Sequence, residues 1–287
     1  MSIARDSGVY SIRTMTRGDI DTAIEWAARE GWNPGLDDAA CFHAADAEGF
    51  LVGVLDDEPV ATISVVRYGT TFGFLGLYIV KPEYRGHGYG MQLWDAGLAR
   101  LANRTVGLDG VVAQQENYRK SGFTFAYRNI RYEGIANSRG VVDPCVVSLS
   151  SVQFGAIAAF DRVAFPAERG AFLRCWIQQP RGHAVGFVRD GRLAGYGVIR
   201  SARNGYKIGP LFADDAAVAE ALFDALTARI PRASTLCLDV PEINPPAVAL
   251  AERHRMSVVF ETARMYTGAI PDISLQHVYG VTTFELG

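Results

Sequence analysis

The chain has 287 residues, 49% of them hydrophobic and 21% charged, with a formal net charge of -3. That length allows one large domain or two of ordinary size, and the composition is that of a soluble globular protein. The charge balance gives no sign of a nucleic-acid partner, which needs a basic face. The four cysteines, Cys41, Cys145, Cys175 and Cys237, lie far apart without a CxxC pair, which argues against a metal site or a disulfide framework and suits a reducing compartment.

In chain order, residues Met1 to Val9 lack an apolar signal-peptide core, and no apolar run approaches the ~18 residues of a membrane span. A cytoplasmic location without membrane contact is expected. From Gly49, two apolar runs flank the acidic turn Asp56-Asp57-Glu58, which predicts a hairpin. An apolar strand follows over Phe72 to Val80. Met91, Trp94, Leu98 and Leu101 then fall at helical spacing. Next come Val106 to Asp109, a short helix, and a β-rich run from Phe123 to Tyr132. Gly, Asn, Ser and Pro gather without periodicity over Glu133 to Pro144, which reads as a linker.

The second half repeats this order. A hairpin begins at Gly182 around Arg189-Asp190-Gly191. The strand Tyr206 to Phe212 precedes a helix marked by Ala219, Leu222, Leu226 and Ile230, and the final run is Val258 to Tyr266. The two Leu-Asp pairs, Leu108-Asp109 and Leu238-Asp239, stand 130 residues apart (238 minus 108). The expectation is an α/β chain of two mixed-sheet domains with similar folds, covering 1–138 and 139–287.

The most informative segment runs from Leu77 to Met91. A strand ends at Val80, Pro82 prevents its continuation as a central strand, and Arg85-Gly86-His87-Gly88-Tyr89-Gly90 leads into a helix. A helix N-terminus offers unused N–H groups and the positive end of a dipole to phosphates. Glycines allow close backbone approach, and Arg85 can add a charged clasp. A tight turn whose glycines only relieve strain is the other reading. Neither a dinucleotide GxGxxG motif nor a Gly-Lys-Ser/Thr phosphate loop is present.

Arg85, Gly88 and Gly90 resemble the Arg/Gln-x-x-Gly-x-Gly/Ala signature of the GNAT N-acetyltransferase superfamily. Tyr118-Arg119-Lys120-Ser121-Gly122-Phe123 is similar to that family's Tyr-x-x-x-Gly-Phe helix end. The resemblance covers roughly residues 10 to 133. Trp32-Asn33-Pro34-Gly35 and Arg264-Met265-Tyr266 are similar to segments of a bacterial two-domain subgroup.

The resemblance implies a tandem GNAT fold with acetyl-CoA as co-substrate. The strand end Tyr78-Ile79-Val80 would hold pantetheine and polarise the thioester. The amides of Gly86, His87, Gly88, Tyr89 and Gly90, with Arg85, would hold the pyrophosphate, although His87 could equally pack the loop. Tyr118 occupies the usual acid position; it could instead be a helix aromatic packed on Phe123. Many relatives carry a glutamate on the strand before the loop, but Phe72 to Leu77 has no carboxylate. The base is therefore left open: Asp109 is the best candidate, with a turn-forming role before Gly110 as its alternative reading, and Glu30 and His87 are weaker candidates. The acceptor, a small-molecule amine, would enter past Glu30, Trp32 and Asn33, and the second half would wall its cleft through Asp239, Asn244 and Arg264. Gly209-Pro210 and the acids Asp214 and Asp215 stand where that half would need its glycine loop, so it reads as a degenerate copy without CoA or chemistry. A non-catalytic acyl-CoA sensor and an enzyme acting on protein amines are the alternatives.

Overall fold

A computed structural model describes residues 8–137 and 143–287, so the expected boundary at 138/139 lies outside the described residues. The first half contains β1 (Tyr10–Thr14), α1 (Arg17–Arg29), α2 (Asp38–Ala45), β2 (Phe50–Leu55), β3 (Glu58–Tyr68), β4 (Phe72–Val80), α3 (Tyr89–Arg100), β5 (Thr105–Val111), α4 (Gln115–Lys120) and β6 (Phe123–Ile135). The second contains β7 (Val146–Ser148), α5 (Phe154–Ala164), α6 (Gly170–Trp176), β8 (Gly182–Arg189), β9 (Arg192–Ser201), β10 (Tyr206–Ala213), α7 (Ala216–Thr227), β11 (Thr235–Pro241), α8 (Pro245–Arg253), β12 (Ser257–Thr267) and β13 (Val278–Gly280).

Local chemistry accounts for the element ends. Thr16 and Asp19 form a reciprocal capping box that starts α1. The β2–β3 turn places Asp56 and Asp57 at φ 47° and 66°, a left-handed backbone that short polar side chains tolerate. The second hairpin uses Asp190 and Gly191 at φ 51° and 73°. On β3 the side chains alternate. Ala61, Ile63 and Val65 pack with Leu93 and Trp94 of α3, whereas Val66 and Tyr68 join a core built from α1, α2 and α6. That second core contains Ile20, Phe42, Phe172 and Trp176, so it belongs to both halves.

The two halves form one sheet in the order β1-β2-β3-β4-β5-β12-β6-β11-β10-β9-β8-β7, with β13 added to β10. The order is palindromic about the β12–β6 pair. Each half sends its last long strand into the other: β12 pairs β5, and β6 pairs β11. The two halves therefore share one continuous sheet and exchange their last long strands across it. Residues 133–135, expected in a linker, are the end of β6, where Ile135 pairs Thr235.

Two buried ion pairs fix the exchanged strands. Arg131 of β6 donates Nε and Nη2 to Asp239 of β11 at 2.6 and 2.7 Å. Arg264 of β12 donates the same two nitrogens to Asp109 of β5 at 2.9 and 2.6 Å. The repeated Leu-Asp pair thus marks the acid partner of an arginine in the other half. Among the described residues, no helix is long and apolar enough to cross a membrane.

Candidate active site

Strands β4 and β5 are parallel neighbours only from Phe72–Thr105 to Leu75–Leu108. Beyond that point they part. The cause is a bulge in β4, where Leu77 takes φ 45° and the β3 register shifts between Thr62 and Ser64. Thr62 Oγ1 holds the bulge by donating to the Leu77 carbonyl at 2.9 Å. The parted strands open a cavity of about 600 Å³, and Tyr78, Ile79 and Val80 line it as expected. Backbone groups on parted strands are free to pair with an extended ligand.

The glycine loop joins the end of β4 to α3 beside this gap, and Arg85 and Met91 at its two ends line the cavity. Gly86 and Gly88 have φ 82° and 86°, which L side chains rarely adopt, with open space where a Cβ would lie. Gly88 is the N-cap of α3, so the amides that follow it lack helical partners. Gly90 has a different role: a Cβ there would lie 2.7 Å from the Tyr78 hydroxyl and 2.8 Å from Val80 Cγ2. Its absence lets α3 sit on the strand end. Arg85 donates Nη2 to Glu30 at 2.6 Å and Nε to the Val80 carbonyl at 2.9 Å. The ring of His87 stacks beside Tyr89, and its Nδ1 lies 3.0 Å from the Arg85 carbonyl. Here His87 packs the loop. Tyr89 in turn stacks on Tyr10, whose hydroxyl donates to the Tyr89 carbonyl at 3.0 Å.

Tyr118 faces the same gap. Its ring stacks on Trp94 with centroids 5.7 Å apart, and Tyr78 packs against Trp94 from another direction. Gly110 makes room for it, since a Cβ there would lie 2.1 Å from Tyr118 Cε2. Burial, with Tyr78 nearby, pushes the Tyr118 phenol up to about 12, although a hydrogen bond with the Val111 backbone opposes the shift. The phenol is therefore neutral, with a proton to donate, at ordinary pH. Lys120, Gln114 and Asn117 line the same side of the cavity.

The other side is built from both halves. Glu30 and Trp32 line it from the loop after α1, and Phe260, Thr262, Phe284 and Glu285 line it from the second half. Residues 281–287 cross the join. Their path needs Gly209, where a Cβ would lie 2.5 Å from the carbonyl oxygens of Val281 and Thr282. It also needs Gly76, where a Cβ would lie 2.1 Å from the Glu285 carbonyl oxygen. Tyr68 donates to the Leu286 carbonyl at 3.0 Å, and Arg169 to that of Gly287 at 2.9 Å. No motif or periodicity in Val281-Thr-Thr-Phe-Glu-Leu-Gly287 announces this placement. Phe260 and Thr262 were hidden because strand exchange brings them here.

Several expected site residues have other work. Asp109 is not free to act as a base: its side chain is fully covered, and Arg264, Asn129 and Thr262 all donate to it. It lies inside β5 rather than in a turn. Arg264 is consumed by that pair. Asp239 lies behind Arg131, whose Nη1 donates to the Trp32 carbonyl at 2.8 Å, so Asp239 supports Trp32 at one remove. Asn244 is buried beside α8 and donates to the carbonyls of Leu275, Gln276 and Val278. Asn33 accepts from the Asn204 amide and donates to the Asn204 carbonyl, stitching the halves together outside the cavity.

The equivalent gap in the second half is closed. Strand β10 parts from β11 after Ile208–Leu238, but β13 pairs with β10 through Gly280–Leu211 and Val278–Phe212. The Val281 amide then donates to the Asp239 carbonyl of β11 at 2.8 Å. The chain's own strand occupies the slot. Where the first half has its glycine loop, Gly209 and Pro210 lie within β10, and Asp215 caps α7 through the Val218 amide at 2.9 Å.

Comparison with known proteins agrees with this geometry. The model of the acetyltransferase (GNAT) family matches residues 19–123, and an acetyltransferase (GNAT) domain model matches residues 157–280. A holothin acyltransferase of Pseudoalteromonas is 34% identical over 266 residues, covering 92% of this chain and 90% of the relative. Among solved structures, a candidate acetyltransferase of Pyrococcus horikoshii has a TM-score of 0.84 at 23% identity, covering 100% and 98% of the two chains. A tandem GNAT protein from the clavulanic acid biosynthesis pathway has a TM-score of 0.63 at 13% identity, covering 91% and 100%. The structural likenesses speak to the fold; the curated relative and the two matched regions speak to the family. The chain belongs to the GNAT family in its tandem form and is an N-acyltransferase of that type.

Proposed function

We propose that the protein transfers an acetyl group from acetyl-CoA to a primary amine of a small metabolite, at one site in the first half. The observation that carries this reading is the gap between β4 and β5, with the glycine loop beside it and Tyr118 on its wall. Acetyl-CoA would run along Tyr78 to Val80, with its pyrophosphate on the amides of 86–90 and on Arg85. The β4 backbone is the source of donors toward the developing oxyanion, and Tyr118 hands its proton to the leaving sulfur. Pyrophosphate would compete with Glu30 for Arg85, and this half-exposed pair is worth at most about 1 kcal/mol, so the exchange is easy.

The acceptor side supports a small substrate. Trp32, Phe260 and Phe284 supply apolar walls, and Glu30 and Glu285 supply acids, within a recess shared by both halves. The similar enzyme from Pseudoalteromonas is named for holothin, which makes that compound the first acceptor to try. The free cysteines suit a cytoplasmic setting. The test is thiol release from acetyl-CoA with a panel of holothin, tyramine, benzylamine and a folded lysine-rich protein. Release with a small amine supports the reading. Release with the protein alone would replace it with protein acetylation, and binding of acetyl-CoA without release would make the chain an acyl-CoA sensor.

A further inference from the structure

Three acidic residues line the cavity: Glu30, Asp109 and Glu285. Glu30 is bonded to Arg85, and Asp109 is clamped by Arg264. Glu285 differs from both. Among the described residues its only side-chain hydrogen bond is from Thr283 Oγ1 to Oε2, and no arginine or lysine lies within ion-pair distance of it. We infer that Glu285, carried into the cavity by residues 281–287, is the group that takes the proton from the acceptor nitrogen. The inference rests on the acyl-transfer reading and gives the second half a direct part in the chemistry.

The surroundings fit a base rather than a structural acid. Lys207 of β10, Arg131 of β6 and Arg200 of β9 act on Glu285 as positive charges, and Asp38 of α2 as a negative one. Asp239 of β11 lies 3.8 Å from Lys207, and Glu30 lines the same cavity. Lys207 Nζ is fully buried without a hydrogen-bond partner, and Asp239, itself paired with Arg131, offsets its charge only in part. Burial holds the Glu285 carboxyl above the ordinary glutamate range, and Lys207 pulls it back toward ionisation. A carboxylate raised in this way accepts a proton more readily than an exposed one.

An acceptor entering as an ammonium gives one proton to Glu285, which becomes neutral. The freed lone pair forms the C–N bond at the thioester carbonyl. The C–S bond then breaks, Tyr118 protonates the sulfur, and Tyr118 regains a proton from the new amide nitrogen. Glu285 returns its proton to solvent. Lys207 touches none of these atoms; it is a positioning residue that sets the charge state of Glu285.

The test uses the full chain, acetyl-CoA and whichever amine of the panel releases most thiol. Glu285→Gln should lower kcat/KM roughly 10²–10⁴-fold, with activity recovering as pH rises and the free amine becomes abundant. Acetyl-CoA affinity by calorimetry should be unchanged. Lys207→Met should move the acid limb of kcat/KM to higher pH, because a cation that favours the carboxylate is lost. This shift also carries the test if the glutamine variant does not fold. A Glu285→Gln enzyme with the parent's rate and acid limb, or a Lys207→Met enzyme with an unmoved limb, overturns the inference. If the parent releases no thiol with any amine, it is the acyl-transfer reading that fails. Glu285 is then judged by infrared titration of the acetyl-CoA-mixed protein: a carboxyl titrating above the ordinary glutamate range and missing from Glu285→Gln supports it, and no such carboxyl overturns it.

Discussion

Replacing Asp109 with alanine separates a structural role from a catalytic one. The Asp109 side chain is 0% exposed and that of Arg264 5%, so the substitution leaves a guanidinium buried without its counter-ion. Breaking a buried pair from one side costs about 3–5 kcal/mol. Asn129 Nδ2 and Thr262 Oγ1 lose an acceptor as well, but they belong to the same network and do not add in full. A loss of about 4 kcal/mol would consume a large part of the 5–15 kcal/mol typical of a folded protein. It would act where β12 is held against β5, loosening the contact between the halves. Equilibrium urea unfolding gives the stability, and thiol release at low temperature gives the activity of the folded fraction. The double variant Asp109→Leu with Arg264→Met removes both charges and should recover most of the stability. An Asp109→Ala protein within about 1 kcal/mol of the parent, folded but inactive at every pH, would refute the structural account and return Asp109 to the chemistry.

Other expectations follow from the same geometry. Tyr118→Phe should lower kcat by roughly 10²-fold with acetyl-CoA binding little changed, since only the proton donor is lost; wild-type kcat under chemistry-limited conditions would return Tyr118 to a packing role. Because the Tyr118 phenol is raised to about 12, its neutral form stabilises the fold fully below pH 10, and this contribution is lost as pH rises through about 12. An alkaline activity limb below pH 10 that vanishes in Tyr118→Phe would contradict that. Gly88→Val places a β-branched residue at φ 86° and should weaken acetyl-CoA binding at least about tenfold by calorimetry; unchanged affinity in the folded variant would remove the loop from the binding site. Trp32→Ala should raise the acceptor KM and leave acetyl-CoA affinity nearly unchanged; an unaltered KM would place the acceptor elsewhere.

Much of the fold was legible because its signals are local. The hairpins carried their acidic turns, β4 runs from Phe72 to Val80 as its apolar run indicates, and the glycine loop stands between strand and helix. Strand exchange was not legible, because alternation along β6 and β12 records which face is buried and not which strand lies alongside. The same blindness misdirected the acids. An aspartate after a leucine gives no hint that an arginine in the other half covers it, so Asp109 and Asp239 read as site residues although both pin exchanged strands. Glu285 was missed for the opposite reason: it sits in a run without motif, and only the crossing of residues 281–287 over Gly76 places it in the cavity.

The chain has one open gap and one closed one. The β4–β5 gap has the glycine loop and a cavity, while β13 fills the β10–β11 gap. Calorimetric titration of the intact chain with acetyl-CoA tests this directly. One binding site per chain is predicted; two equivalent sites, or no binding, would contradict it.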